Sequence, residues 1–317
     1  LIDRREPEPW KTKGALFLWG AGVATISAGI LNTALQENII LSLGDVNQSN
    51  ALAATFIAPL IEETLKGLGV LIVVVVRRTN INSIIDGVVY AGFSACGFMF
   101  AEDILYFLRV DDPADNSLLF TFIMRGIASP FVHAMATSMT GIGLALALIK
   151  FKRGWSKTGI VLFFAMVIHF VWNGTASFLG QYFFLIYLGI EVPAFLVWAI
   201  TLIILSRKEA EKIRVGLVPY VRTGWLIPGE VTMATDRRAR RAALKWARSG
   251  GREAKRAMRS FLVNLASLGM DQRLMAKHGP DRARIDNDQR MLAEAVENRR
   301  EFLRLTSIAE QQQDVTD

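Results

Sequence analysis

Six stretches in the first 206 residues are apolar over lengths that can cross a bilayer: 14–36, 53–76, 82–108, 117–149, 157–179 and 181–206. A span needs about 20 apolar residues. Inside lipid every backbone polar group has to be satisfied within the chain, so runs of this length become helices. Residues 207–317 hold no such run. The expected fold is all-α: a flank at 1–13, a polytopic bundle of about six spans at 14–206, a small helical domain at 207–309 and a disordered tail at 310–317. The fourth stretch is too long for one upright span, and Pro130 is placed to split it. The chain begins with Leu and is read as a fragment, with the number of missing N-terminal spans left open. Its one cysteine, Cys96, cannot make an internal disulfide.

Charge alternates across the spans. Arg4, Arg5, Lys11 and Lys13 precede the first span, Arg77 and Arg78 follow the second, and Lys150, Lys152, Arg153 and Lys157 follow the fourth. Glu37 and Asp45, and then Asp111, Asp112 and Asp115, mark the other side. Cytoplasmic loops are enriched in Lys and Arg, so the N-terminal flank and the C-terminal domain are expected in the cytoplasm of a multi-pass plasma-membrane protein.

Ionisable groups interrupt four of these spans. They are Glu62, Glu63 and Lys66, then Glu102, then His133 and His169. A charge near the midplane costs at least about 2.5–3.5 kcal/mol, so such groups usually face a bundle interior or a wet cavity. At 1.5 Å per residue, Glu63, His169 and His133 lie about 21, 18 and 25 Å from the inner end, and Glu102 about 10 Å below the outer end. All four fall between the middle and the outer leaflet, where they can share one buried polar cavity.

Each group has a plainer reading when taken alone: a structural ion pair for Glu62, Glu63 and Lys66, an interfacial carboxylate for Glu102, a packed imidazole for His133 or His169. Lys66 is i+4 from Glu62 and i+3 from Glu63 and can reach either. The i+4 spacing favours Glu62 as its partner, which leaves Glu63 the freer carboxylate to meet water. Arg125 pairs with Glu102 or, more blandly, with headgroups. Asn173 follows His169 by one turn and can fix its tautomer or stabilise an oxyanion. Together the groups match two chemistries. Glu63, Glu102, His133 and His169 suit a catalytic zinc with an open position. The same residues without metal can activate water through Glu and stabilise an oxyanion through His and Asn. Neither His-Glu-x-x-His nor Gly-x-Ser-x-Gly occurs. A transporter or proton pathway would use the same buried residues, though no internal repeat stands out.

The order Glu62-Glu63-x-x-Lys66, Phe98-x-x-x-Glu102, His169-x-x-x-Asn173 resembles the PrsW family of intramembrane proteases, related to the CAAX-prenyl-protease and bacteriocin-processing proteins. Asp3-Arg-Arg-Glu-Pro-Glu-Pro-Trp10 is similar to the segment before the core helices in actinobacterial-type members. The resemblance covers roughly 3–206 and implies a bacterial intramembrane endopeptidase, a metalloprotease with zinc, cutting a single-pass protein such as an anti-sigma factor near the outer face. It implies that the Glu62-Glu63 pair supplies the catalytic carboxylate and that Glu102 and His169 complete the site. Asn173 stands where some members have Asp, and Asp103 where many have Asn.

The C-terminal segment 207–317 carries 23 Lys and Arg against 15 Asp and Glu. Helices are expected around 236–248 and 291–302, with breaks at Gly250-Gly251, Gly269 and Gly279-Pro280. No aromatic-interleaved basic motif points to nucleic acid; the expected partner of this surface is anionic lipid headgroups.

Overall fold

The structure, a computed structural model, describes residues 5–110, 117–149 and 155–314. Arg4, Asp111, Asp112, Asp115, Lys150, Lys152 and Arg153, which carry part of the orientation argument, lie outside the described residues. The regular elements described are all helical. The chain divides into two compact units, Glu8–Leu202 on the one hand and Leu1–Pro7 with Ile203–Asp317 on the other. The chain therefore divides after residue 202, where the sequence suggested 206.

Among the described residues, five helices are long and apolar enough to cross a membrane: Trp10–Ser42, Ile84–Phe107, Leu118–Ile149 and Gly159–Phe178 in the first unit, and Gly180–Arg222, which begins in it and continues past residue 202. The remaining expected span is helical too, running as Val46–Leu52, a π turn at Ala53–Ile57 and Ala58–Val76. Glu62, Glu63 and Lys66 set it apart in composition, yet all three are buried. Helix Ala58–Val76 is packed by Ile84–Phe107, Pro130–Ile149 and Trp155–Phe178, so its polar face meets protein. Leu18, Ile26, Phe163, Phe164, Val197 and Ile200 are exposed, as lipid-facing side chains are. Within the helical run Leu118–Ile149, Pro130 marks a change of winding and not a separate span: α-helix Pro130–Ile149 follows a π turn at Ile123–Ala128.

Local chemistry explains the boundaries. Ser83 and Asp86 form a reciprocal cap that starts Ile84–Phe107, with the Ser83 amide donating to Asp86 Oδ2 at 2.8 Å. Gly44 ends the first span at φ 72°, and Asp45 caps the next helix by accepting from the Gln48 amide at 3.0 Å. Lipid offers helices no hydrophobic drive to associate, so close approach through small residues matters more. Gly87 and Gly141 provide it: a Cβ on either would strike the other's carbonyl.

The second unit packs Pro228–Thr235, Arg237–Trp246, Gly251–His278 and Arg282–Asp314 around Leu217, Met258, Phe261, Leu262, Leu265 and Phe302. Asp236 caps Arg237–Trp246, accepting from the Arg238 and Ala239 amides. Gly251 and Gly279 have φ of 92° and stand at helix boundaries, as expected. Gly269 does not break a helix. It lies inside Gly251–His278, where a Cβ added at Gly216 would meet its carbonyl, so its small size serves packing. The last helix continues to Asp314, into the segment whose composition suggested disorder.

This unit also buries Asp271, Arg284 and Asp288, with Arg284 Nη1 donating to Asp271 Oδ1 at 2.6 Å. Burial, and then the neighbouring Asp271, push Asp288 up to about 8. The folded unit thus holds a proton that the unfolded chain loses near pH 4. Its stability is greatest below that range and declines as pH rises towards 8. Hydrogen exchange of helices Gly251–His278 and Arg282–Asp314 in the full chain, corrected for intrinsic rates, should show more protection at pH 5 than at pH 8. Asp288→Asn should flatten that difference.

Candidate active site

Four helices and one π turn bring the polar groups together. Ala58–Val76 supplies Glu62, Glu63 and Lys66; Ile84–Phe107 supplies Glu102; Pro130–Ile149 supplies His133 and Thr137; Trp155–Phe178 supplies His169; the π turn Ile123–Ala128 supplies Arg125. His133 and His169 are 1% and 2% exposed, with ring centroids 4.8 Å apart.

Lys66 pairs differently from the i+4 expectation. Its Nζ is 2.5 Å from Glu63 Oε1 and 3.9 Å from Glu62 Oε2. Glu63 is the saturated carboxylate. Its Oε1 also takes His169 Nδ1 at 3.0 Å, and its Oε2 accepts from Thr137 Oγ1 at 2.9 Å. Glu62, expected to be the paired residue, keeps capacity. Asn32 Nδ2 reaches its Oε1 at 3.5 Å, and its Oε2 takes no hydrogen bond among the described residues.

These contacts fix tautomers. An ionised carboxylate only accepts, so His169 Nδ1 carries the proton and Nε2 presents its lone pair, 3.8 Å from Glu62 Oε2. An ammonium only donates, so His133 Nδ1, 3.3 Å from Lys66 Nζ, accepts. The proton of His133 then sits on Nε2, 3.4 Å from Glu102 Oε2, with no hydrogen bond among the described residues. Arg125 turns inward to Glu102 at 3.2 Å and stacks on Tyr106, its guanidinium 3.3 Å from the ring centroid. The headgroup alternative for Arg125 is replaced by this pair.

One donor atom each from Glu62, His133 and His169 lies within 4.8 Å of the others. Two of these residues, Glu62 and His133, carry a buried polar atom lacking a hydrogen bond, which an added ligand would satisfy. The set differs from the one expected: Glu62 replaces Glu63, and Glu102 stands beside the group rather than in it.

Asn173 does not bond His169. Its amide donates to Ala54 O at 2.7 Å. In the π turn Ala53–Ile57 the natural donor to that carbonyl is the residue five positions on, Pro59, which has no N–H. Asn173 supplies the missing donor and ties Trp155–Phe178 to the start of the glutamate helix. An aspartate at this position could not donate.

A family model for the PrsW family intramembrane metalloprotease matches residues 8–204. The chain belongs to that family. This PrsW-family protease is also 27% identical to Protease PrsW of Clostridioides difficile (strain 630) over 178 residues, which are 56% of this chain and 70% of that protein. No solved structure matches. The family makes the chain a multi-pass membrane protease acting on a membrane protein, and the transporter reading is set aside. A metalloprotease family and a buried Glu-His-His group agree that this site can hold a metal.

Asn32 and Tyr106 were not singled out from the sequence. Asn32 was recoverable as one of two amides, with Gln36, in the apolar stretch 14–36. Tyr106 gives no signal without the fold, because aromatic residues are common near span ends.

Proposed function

We propose that this protease hydrolyses a peptide bond of a single-pass membrane protein near the outer face, at a zinc-type metal held by Glu62, His133 and His169. The observation that supports it most is the pair of buried atoms, Glu62 Oε2 and His133 Nε2, left without hydrogen bonds beside His169. When bound, the metal supplies a Lewis acid. Coordination takes a ring lone pair, so for His133 to offer Nε2 its proton would shift to Nδ1, and the Lys66 ammonium would then be held by Glu63 and Glu62 alone.

The protein's own residues do the rest. Glu63 holds His169 in the tautomer that offers Nε2. Glu102, held by Arg125 and beside His133, takes a proton from the attacking water as its oxygen bonds to the scissile carbonyl carbon. The same proton passes to the leaving nitrogen as the C–N bond breaks. Arg125 holds Glu102 in place. The cytoplasmic placement of the flank and C-terminal domain, with the basic surface on anionic headgroups, belongs to this reading. An anti-sigma factor is one substrate of the right architecture.

Elemental mass spectrometry on protein purified without chelator tests the centre. About one metal per chain is expected in the wild type and close to none in His169→Ala. Glu63→Gln should weaken metal retention by about 10- to 100-fold. Equal metal content in wild type and His169→Ala, at background, would overturn the metal centre.

A further inference from the structure

A second cavity, of about 360 Å³, lies against the outer side of the two histidine-bearing helices. Val132, Ile168 and Trp172 form one wall, and Tyr187, Glu191 and Phe195 the other. Val132 and Ile168 are the chain neighbours of His133 and His169, so the cavity and the catalytic site are built on the same two helices. Apart from Glu191, every side chain just named is apolar or aromatic, as a lipid-facing groove requires.

Glu191 breaks that rule. Both its carboxylate oxygens are buried, and neither takes a hydrogen bond among the described residues. It sits at the end of the π turn Tyr187–Glu191 and is the single charged residue of 181–206. A carboxylate kept in apolar surroundings without a donor is costly and, in a membrane span, marks a functional position. No described side chain supplies a donor, which leaves both oxygens open to one carried by an occupant of the cavity.

We infer that this cavity receives the apolar membrane segment of the protein substrate, and that Glu191 selects segments carrying a basic side chain. The inference rests on the proposed proteolytic reading for the identity of the occupant. Shape and chemistry agree on it. Helices Gly159–Phe178 and Gly180–Arg222, which contribute to the cavity lining, both have apolar residues exposed. The cavity is lined by the two helices that carry His133 and His169, so a segment seated there packs against the elements that build the site. A lysine in the segment would meet the two open carboxylate oxygens in a dry site, where a charge-assisted bond is strongest.

Two readouts keep this inference separate from the catalytic one. The first is binding of a transmembrane Leu/Ala peptide with one guest residue, Lys or Leu, and a neighbouring brominated residue. Quenching of Trp172 reports seating in the cavity, and Trp172→Phe gives the background. In wild-type protein in vesicles, the Lys guest should bind about tenfold more tightly than the Leu guest, a difference of about 1.4 kcal/mol. Glu191→Gln and Glu191→Leu should each bring that ratio close to one. The second readout is cleavage of single-pass reporters with the same guests, where the same ratio should appear in kcat/KM.

A Lys-to-Leu binding ratio that is one in wild type, or unchanged in both Glu191 variants, overturns the inference. If the binding preference is present and lost on substitution while no reporter is cut, the cavity assignment stands and the proteolytic reading fails. Thermal unfolding of each variant confirms that a changed ratio comes from folded protein; the isosteric Glu191→Gln covers the case in which the leucine variant does not fold.

Discussion

Glu62→Gln should abolish cleavage of a membrane-anchored substrate and remove the bound metal with it. Glu102→Gln should lower cleavage by about 100- to 10,000-fold, the range for loss of a positioned general base, and leave the metal in place. The two glutamates are distinguished by what surrounds them. Glu62 keeps an oxygen without a hydrogen bond next to His169 Nε2, the arrangement of a ligand. Glu102 is held by Arg125 beside His133 but outside the Glu62-His133-His169 group, where it can meet a bound water without being a ligand. Cleavage assays paired with metal analysis on both variants check this. Loss of metal in Glu102→Gln, or full activity in Glu62→Gln, would reverse or remove the assignment.

Lys66→Met should be the most destabilising single change in the membrane unit. Lys66 is fully buried, and its ammonium stands among Glu63, Glu62 and His133. Removing one partner of a buried pair costs about 3–5 kcal/mol, because the other charge stays behind. Two carboxylates would be left here. Replacing Glu63 by Gln in the same chain should recover part of the loss, since the pair is then removed together. Thermal unfolding of the single and double variants in detergent gives the comparison, and a double variant less stable than Lys66→Met would show that the two residues are not coupled. Neither variant should be active, because Glu63 positions His169.

Much of this architecture was legible in the sequence because lipid leaves the backbone few choices. Long apolar runs became helices, and the ionisable residues that interrupted them converged on one centre. The details that failed were those decided by side-chain direction. Spacing alone put Lys66 with Glu62, but the i+3 partner Glu63 turns inward toward His169 and Thr137 and captures the ammonium. Asn173 was placed with His169 because they share a helix face, whereas the carbonyl stranded by Pro59 claims its amide. Gly269 was read as a break because glycine weakens helices; close contact with helix Val192–Arg222 makes its missing side chain an asset. Glu191 was readable as the lone charge in its span and was passed over because no partner residue in the sequence pointed to it.

The contact of Gly87 with Gly141 has a reach beyond the place where it occurs. The helices that meet there also carry Glu102 and His133, turns away along the same two rods. Two antiparallel rods that meet backbone to backbone at one level have their spacing set there for the levels on either side, as calipers are set by their pivot. A methyl group added at either glycine would force the pivot apart and move the jaws, so the separation between proton acceptor and imidazole is gauged by two residues that carry no functional group.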